Sequence, residues 1–138
     1  LGGLLGWLSI YIYAALLNWT GGWLKSKGNT DAIVRMLAHA LIPSIVSLLF
    51  LVPQIIIFGN GVFQSSFNLL EYGTGGMIFY FITAILQIAL GIWTTILVVI
   101  GLSEVQKISI GYAILNMILP GLIFLVPILL LMFLVGLF

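Results

Sequence analysis

The chain has 138 residues, 63% of them hydrophobic, with only four Lys and Arg and three Asp and Glu. A charged share of 5% cannot coat a soluble domain, where roughly 25% is usual, and the mean hydropathy of +1.36 agrees. Four basic residues leave no electrostatic footprint for nucleic acid, and the absence of cysteine excludes disulfides and thiolate metal sites.

The charged positions are Lys25, Lys27, Asp31, Arg35, Glu71, Glu104 and Lys107, which leave charge-free stretches at 1–24, 36–70, 72–103 and 108–138. Each is longer than the ~20 residues that cross a hydrocarbon core of ~30 Å. None alternates apolar and polar residues as a membrane barrel strand would. The expected fold is all-α, a polytopic transmembrane helical bundle forming one domain over residues 1–138, with spans at about 3–24, 33–58, 75–102 and 110–137.

The first span carries Trp7, Tyr11, Tyr13, Trp19 and Trp23 and ends at Gly21-Gly22 and the Lys25–Thr30 loop. No basic segment precedes its apolar run, so a signal peptide is not expected. A preceding segment, including a fifth span, is expected to belong to the complete chain. The second span starts near Thr30-Asp31, residue types suited to a first helical turn, with Asp31 and Arg35 as an i,i+4 pair. It is expected to run through Pro43 and Pro53 to Phe58 as one kinked helix. A polar loop covers 59–72. The third span holds Thr83, Gln87, Thr94 and Thr95. After it, Ser103-Glu-Val-Gln106 has capping-box spacing, which suggests a short helical turn leading to the last span. That last span contains Pro120 and Pro127.

All four Lys and Arg fall in the first and third loops, which four spans place on one face. By the positive-inside rule, loops 25–35 and 103–109 are cytoplasmic, and loop 59–72 and the C-terminus are extracytoplasmic. Residues 30–43 also align without gaps on residues 107–120, pairing His39 with Asn116 and Pro43 with Pro120. The expectation is two helical hairpins in parallel repeat, with paired kinks. Pro removes a backbone donor and opens the carbonyl four residues back, which here belongs to His39 and to Asn116.

His39 has no neighbouring carboxylate or thiol in sequence, and Ser44 and Ser47 have no partner base or oxyanion motif. Metal centres and nucleophilic dyads need more than this. No catalytic residue, metal or cofactor is expected. Asn18, Gln54, Gln87 and Asn116 are expected to face neighbouring helices as hydrogen-bonding glue, and Gly2-x-x-x-Gly6 and Gly73-Thr-Gly-Gly76 to permit close packing.

Leu37-Ala-His-Ala-Leu-Ile-Pro43, which follows a Lys/Gly-rich loop, and Gly101-Leu-Ser-Glu-Val-Gln-Lys-Ile-Ser-Ile-Gly-Tyr-Ala113, which runs on to Pro120, resemble the Ypt/Rab-interacting-protein (Yip) domain family. The bacterial members are similar in their small-aromatic-small segment before a proline and their Gly-Leu-x-Glu-Val turn before the last helix. The resemblance covers about Trp7 to the C-terminus, with His39 standing where a Tyr is more usual. It implies a multi-span scaffold with five spans and an extracytoplasmic C-terminus, located in a bacterial inner membrane. Eukaryotic relatives bind Rab-type GTPases in vesicle traffic, and that role is carried over to no residue here.

Two functions follow as expectations. The first is a non-enzymatic Yip-type scaffold or adaptor in membrane organisation or trafficking. The second is a small solute or lipid transporter or channel using a cavity between the hairpins. The candidate polar and kink positions are His39, Pro43, Tyr112, Asn116 and Pro120. The expected partners are the lipid bilayer and either another protein or a second copy of the chain.

Overall fold

The computed structural model describes residues 2–136, and the described residues fold as helices joined by short turns. The α-helices are α1 (Gly2–Trp23), α2 (Thr30–Ala40), α3 (Ile42–Leu49), α4 (Leu51–Phe58), α5 (Gly73–Gln106) and α6 (Ile110–Leu134). Two 3-10 turns, Gly59–Phe63 and Leu69–Tyr72, lie between α4 and α5. Four helical stretches are long and apolar enough to cross a membrane: Gly2–Trp23, Thr30–Phe63, Leu69–Gln106 and Ile110–Leu134.

Burial is inverted relative to a soluble protein. Large aliphatic side chains point outward, as at Ile56 (77% exposed) and Leu134 (71%), while Thr20, Gln106 and Asn116 are each 0% exposed. A soluble domain buries its aliphatics and exposes its amides. In lipid no hydrophobic force draws helices together, so polar and small groups gather between them. The chain is an integral membrane protein.

The second span is one helical stretch, Thr30–Phe63, whose hydrogen-bond ladder is interrupted at Leu41 and at Phe50, both still in the right-handed helical region, so that Pro43 and Pro53 fall in the first turns of α3 and α4. In a helix interior, Pro forfeits a hydrogen bond and costs ~3 kcal/mol. In a first turn the N–H is unpaired anyway. The ladder resumes at once, with Ile45 N–H donating to Leu41 O at 3.0 Å. Pro120 and Pro127, in contrast, remain inside a continuous α6.

The cap of α2 is Asn29, whose Oδ1 accepts from Ala32 N–H at 2.8 Å. Asp31 does not pair with Arg35; it accepts instead from the Tyr11 hydroxyl at 2.7 Å. Ser103–Gln106 is the last turn of α5 rather than a separate helix, and the Ser103 hydroxyl donates to Ile108 O at 2.6 Å. Ser109 caps α6, accepting from Tyr112 N–H at 3.4 Å. Pro43 thus stands 14 residues past the α2 cap Asn29 and Pro120 only 11 past the α6 cap Ser109, so the prolines and the starts of the two spans align in different registers.

The chain divides into two compact units. One comprises Leu1–His39 and Leu97–Phe138, and the other Ala40–Ile96. In the second unit, Ser44 Oγ donates to Thr94 Oγ1 at 2.9 Å and Gln54 Nε2 to Thr83 Oγ1 at 2.6 Å. These bonds join α3 and α4 to α5. Phe67, Tyr72 and Tyr80 each meet Phe58 edge to face at the unit's loop end, with Phe58 and Tyr72 centroids 4.8 Å apart.

Candidate functional site

The densest polar constellation lies in the first unit, where α1, the end of α5 and α6 meet. Asn116 projects from the buried face of α6, which it shares with Ala113 and Pro120. Its Nδ2 donates to Gln106 Oε1 at 2.7 Å and to Leu17 O at 3.0 Å. Gln106 Nε2 donates to the same Leu17 carbonyl at 3.0 Å. The Thr20 hydroxyl lies within hydrogen-bond reach of Asn116 Oδ1 and 2.9 Å from Leu16 O.

The directions of these bonds are mutually determined. Turning Asn116 end for end would aim Oδ1 at both Gln106 Oε1 and Leu17 O, placing acceptor against acceptor. Turning Gln106 as well would then set Oε1 against Leu17 O. Only the arrangement described gives every amide a complementary partner. The threonine hydroxyl carries one proton, shared between Leu16 O and Asn116 Oδ1. Among the described residues no buried side-chain polar atom lacks a partner.

Two glycines make the site. A Cβ at Gly21 would run into Gln106 Nε2 and stand 2.8 Å from Ser26 Oγ. A Cβ at Gly28 would stand 3.0 Å from Gln106 Cγ and 3.2 Å from Val105 O. Gln106 is thus clasped between α1 and the loop that follows it, and Lys27 N–H donates to Gln106 O at 3.0 Å. The ends of α1 and α5 are built alike. Each closes with an i→i−5 bond, Ser26 N–H to Gly21 O at 3.0 Å and Ile108 N–H to Ser103 O at 3.2 Å. Each also places a lysine in the left-handed region, Lys25 at φ 58° and Lys107 at φ 55°.

Of the five positions singled out from sequence, Asn116 is in this network and Pro120 is buried one turn below it on α6. Tyr112, one turn before Asn116 on α6, is 53% exposed and makes no side-chain hydrogen bond among the described residues. His39 is exposed, with Nδ1 2.7 Å from the Arg35 carbonyl of its own helix. Pro43 is half-buried in the second unit. Gln106 and Thr20 were not legible, since Gln106 reads as a surface residue between Glu104 and Lys107. The available signal was the run of small residues Thr20-Gly21-Gly22 and Gly28 around the hairpin. Asn18 and Gln87 make no side-chain hydrogen bond among the described residues. A Cβ at Gly2 or Gly6 would meet nothing within 4 Å, whereas one at Gly101 would press on Met36 Cγ and Sδ.

The network is entirely amide, hydroxyl and carbonyl. It contains no carboxylate, imidazole or ammonium that could transfer a proton. Among the described residues no group of three or more His, Cys, Asp or Glu could hold a metal ion. The one ion pair among them, Lys107 with Glu104 at 3.8 Å, is exposed to solvent. Chemically the site can hold three helices in fixed register.

A family model described as Yip1 domain matches residues 1–138. The chain therefore belongs to the Yip1 domain family, which is non-enzymatic. No curated protein and no solved structure matches it.

Proposed function

We propose that this Yip1-domain membrane protein is a scaffold or adaptor that organises partners in the bilayer without moving a solute through itself. The carrying observation is the closed Asn116–Gln106–Thr20–Leu17 network, whose buried amides are all used internally. A permeation path would leave such groups for water or cargo, and the network itself holds no ionisable residue of the kind that coupled transport uses. Loops 25–35 and 103–109 are cytoplasmic, and loop 59–72 and the C-terminus are extracytoplasmic. This orientation rests on the four Lys and Arg and on the Lys27–Gln106 backbone bond that brings the first and third loops together. The like-built lysine-capped ends of α1 and α5 support the parallel hairpin repeat, although the prolines fall out of register with it. A bacterial inner membrane is the setting suggested by the Gly101-Leu-Ser-Glu-Val105 turn.

One observation favours a small transporter or channel instead. The hydrogen-bond ladder of the Thr30–Phe63 span is interrupted twice beside prolines, and discontinuous helices frame the sites of many secondary transporters. Reconstitution separates the two roles. Proteoliposomes assayed by light scattering with potassium, protons and glycerol should leak no faster than empty vesicles. A rate above empty vesicles that a folded Asn116→Leu variant abolishes would overturn the scaffold role.

A further inference from the structure

We infer that the junction of two surface grooves at Tyr11 binds a phospholipid whose headgroup carries both a phosphate and a primary amine. The Tyr11 hydroxyl reaches across from the middle of α1 and donates to Asp31 Oδ1 in the first turn of α2 at 2.7 Å. A groove of about 450 Å³ is lined by Tyr11, Asp31, Val34 and Arg35. A second, of about 290 Å³, shares Tyr11 and is lined also by Trp7, Leu8, Ile12 and Ala15. The second groove follows a single face of α1 for ~12 Å, from residue 7 to residue 15. Its Trp7 and Tyr11 rings pack 5.2 Å apart.

The polar groove is charged on both sides and incompletely used. Asp31 takes the Tyr11 proton on Oδ1, and its Oδ2 has no hydrogen-bond partner among the described residues. The Arg35 guanidinium makes no hydrogen bond or ion pair among them, and only its backbone carbonyl is engaged, by His39. An arginine beside lipid-facing apolar surface draws an anion to satisfy its planar fork of donors, and phosphate fits that fork. A carboxylate one turn away, with a free oxygen, suits an ammonium with N–H donors. Those two charges in one groove, next to a wholly apolar strip, describe the two ends of a phosphatidylethanolamine. Phosphatidylcholine offers Asp31 no N–H, and phosphatidylglycerol offers it no cation. The assignment concerns only α1 and α2 and does not depend on whether the protein is a scaffold.

The test is native mass spectrometry of the full chain in detergent micelles with equimolar dioleoyl phosphatidylethanolamine, phosphatidylcholine and phosphatidylglycerol. The ethanolamine lipid should be retained at least about threefold over either competitor, as one added charge-assisted hydrogen bond implies. Asp31→Asn should reduce it to the level of the choline lipid, and Arg35→Gln should weaken both the ethanolamine and glycerol lipids. Glycerophosphoethanolamine, which has the headgroup without chains, should fail to displace the lipid from the unmodified protein. Equal retention of all three lipids, a preference that survives both substitutions, or displacement by the chain-free headgroup at lipid-equivalent concentration would each overturn the assignment. The first and third outcomes need no variant, so a substitution that fails to fold does not shield it.

Discussion

Asn116 Nδ2 and Gln106 Oε1 are 2.7 Å apart across the turn that joins α5 to α6, and both residues are 0% exposed. The bond closes a hairpin and, through Leu17 O and Thr20, clamps that hairpin onto α1. In a bundle whose outer surface is aliphatic, this inner knot of amides sets which helices meet and at what height.

Replacing Asn116 by Leu strands the Gln106 amide oxygen in a dry interior, while the Thr20 hydroxyl keeps Leu16 O as its acceptor. The expected cost is about 1–3 kcal/mol, read as a lower midpoint for unfolding in mixed detergent–SDS micelles. Gln106→Leu should cost a similar amount. The double variant should be less damaged than the sum of the two, because each single change already breaks the bond they share.

Glycine substitutions should separate by position. Gly21→Ala drives a methyl into Gln106 Nε2 and lies 3.1 Å from Asn116 Nδ2, so a clear loss of thermal stability is expected. Gly22→Ala meets nothing within 4 Å and should be neutral or stabilising by up to ~1 kcal/mol from helix propensity. Equal effects at the two neighbours would show that Gln106 is not clasped as described.

Lys25 and Lys107 each hold a left-handed backbone conformation that costs a non-glycine residue ~1–2 kcal/mol. Lys25→Gly and Lys107→Gly should each raise the thermal midpoint by a few degrees, as the turn geometry is retained and its strain removed. The exposed Lys107–Glu104 pair at 3.8 Å adds at most ~1 kcal/mol in the other direction.

The chain has no cysteine, so single cysteines report orientation without background. In intact cells Lys27→Cys should resist a membrane-impermeant maleimide until the membrane is opened. Ser66→Cys, in the loop without basic residues, should react at once. The reverse pattern would invert the assigned topology.

The four spans were legible because charges and small polar loops punctuate an otherwise apolar chain, and each interval exceeds a membrane's thickness. Asn116 was legible as an amide stranded in an aliphatic helix. Gln106 was not, because its burial comes from the fold of a distant loop. Only when Gly21 and Gly28 close on it does a residue flanked by Glu104 and Lys107 become interior. Proline was ambiguous for a similar reason. The same residue follows an interruption of the helical ladder at Pro43 and Pro53 and sits inside an unbroken helix at Pro120 and Pro127. His39 and Asn116 occupy aligned positions in sequence, yet one caps its own helix turn in the open and the other is sealed in the network.

The most direct measurement is the reactivity of a thiol beside that network. Ala113 is 0% exposed and one turn from Asn116 on the same face of α6, and Ala113→Cys adds one sulfur atom. In native membrane vesicles a packed scaffold core predicts that this thiol is unmodified by a small water-soluble methanethiosulfonate from either side, while Lys27→Cys reacts fully. Rapid modification of Cys at position 113 from one or both sides, with the protein still folded, would show water at the centre of the bundle and contradict a closed core.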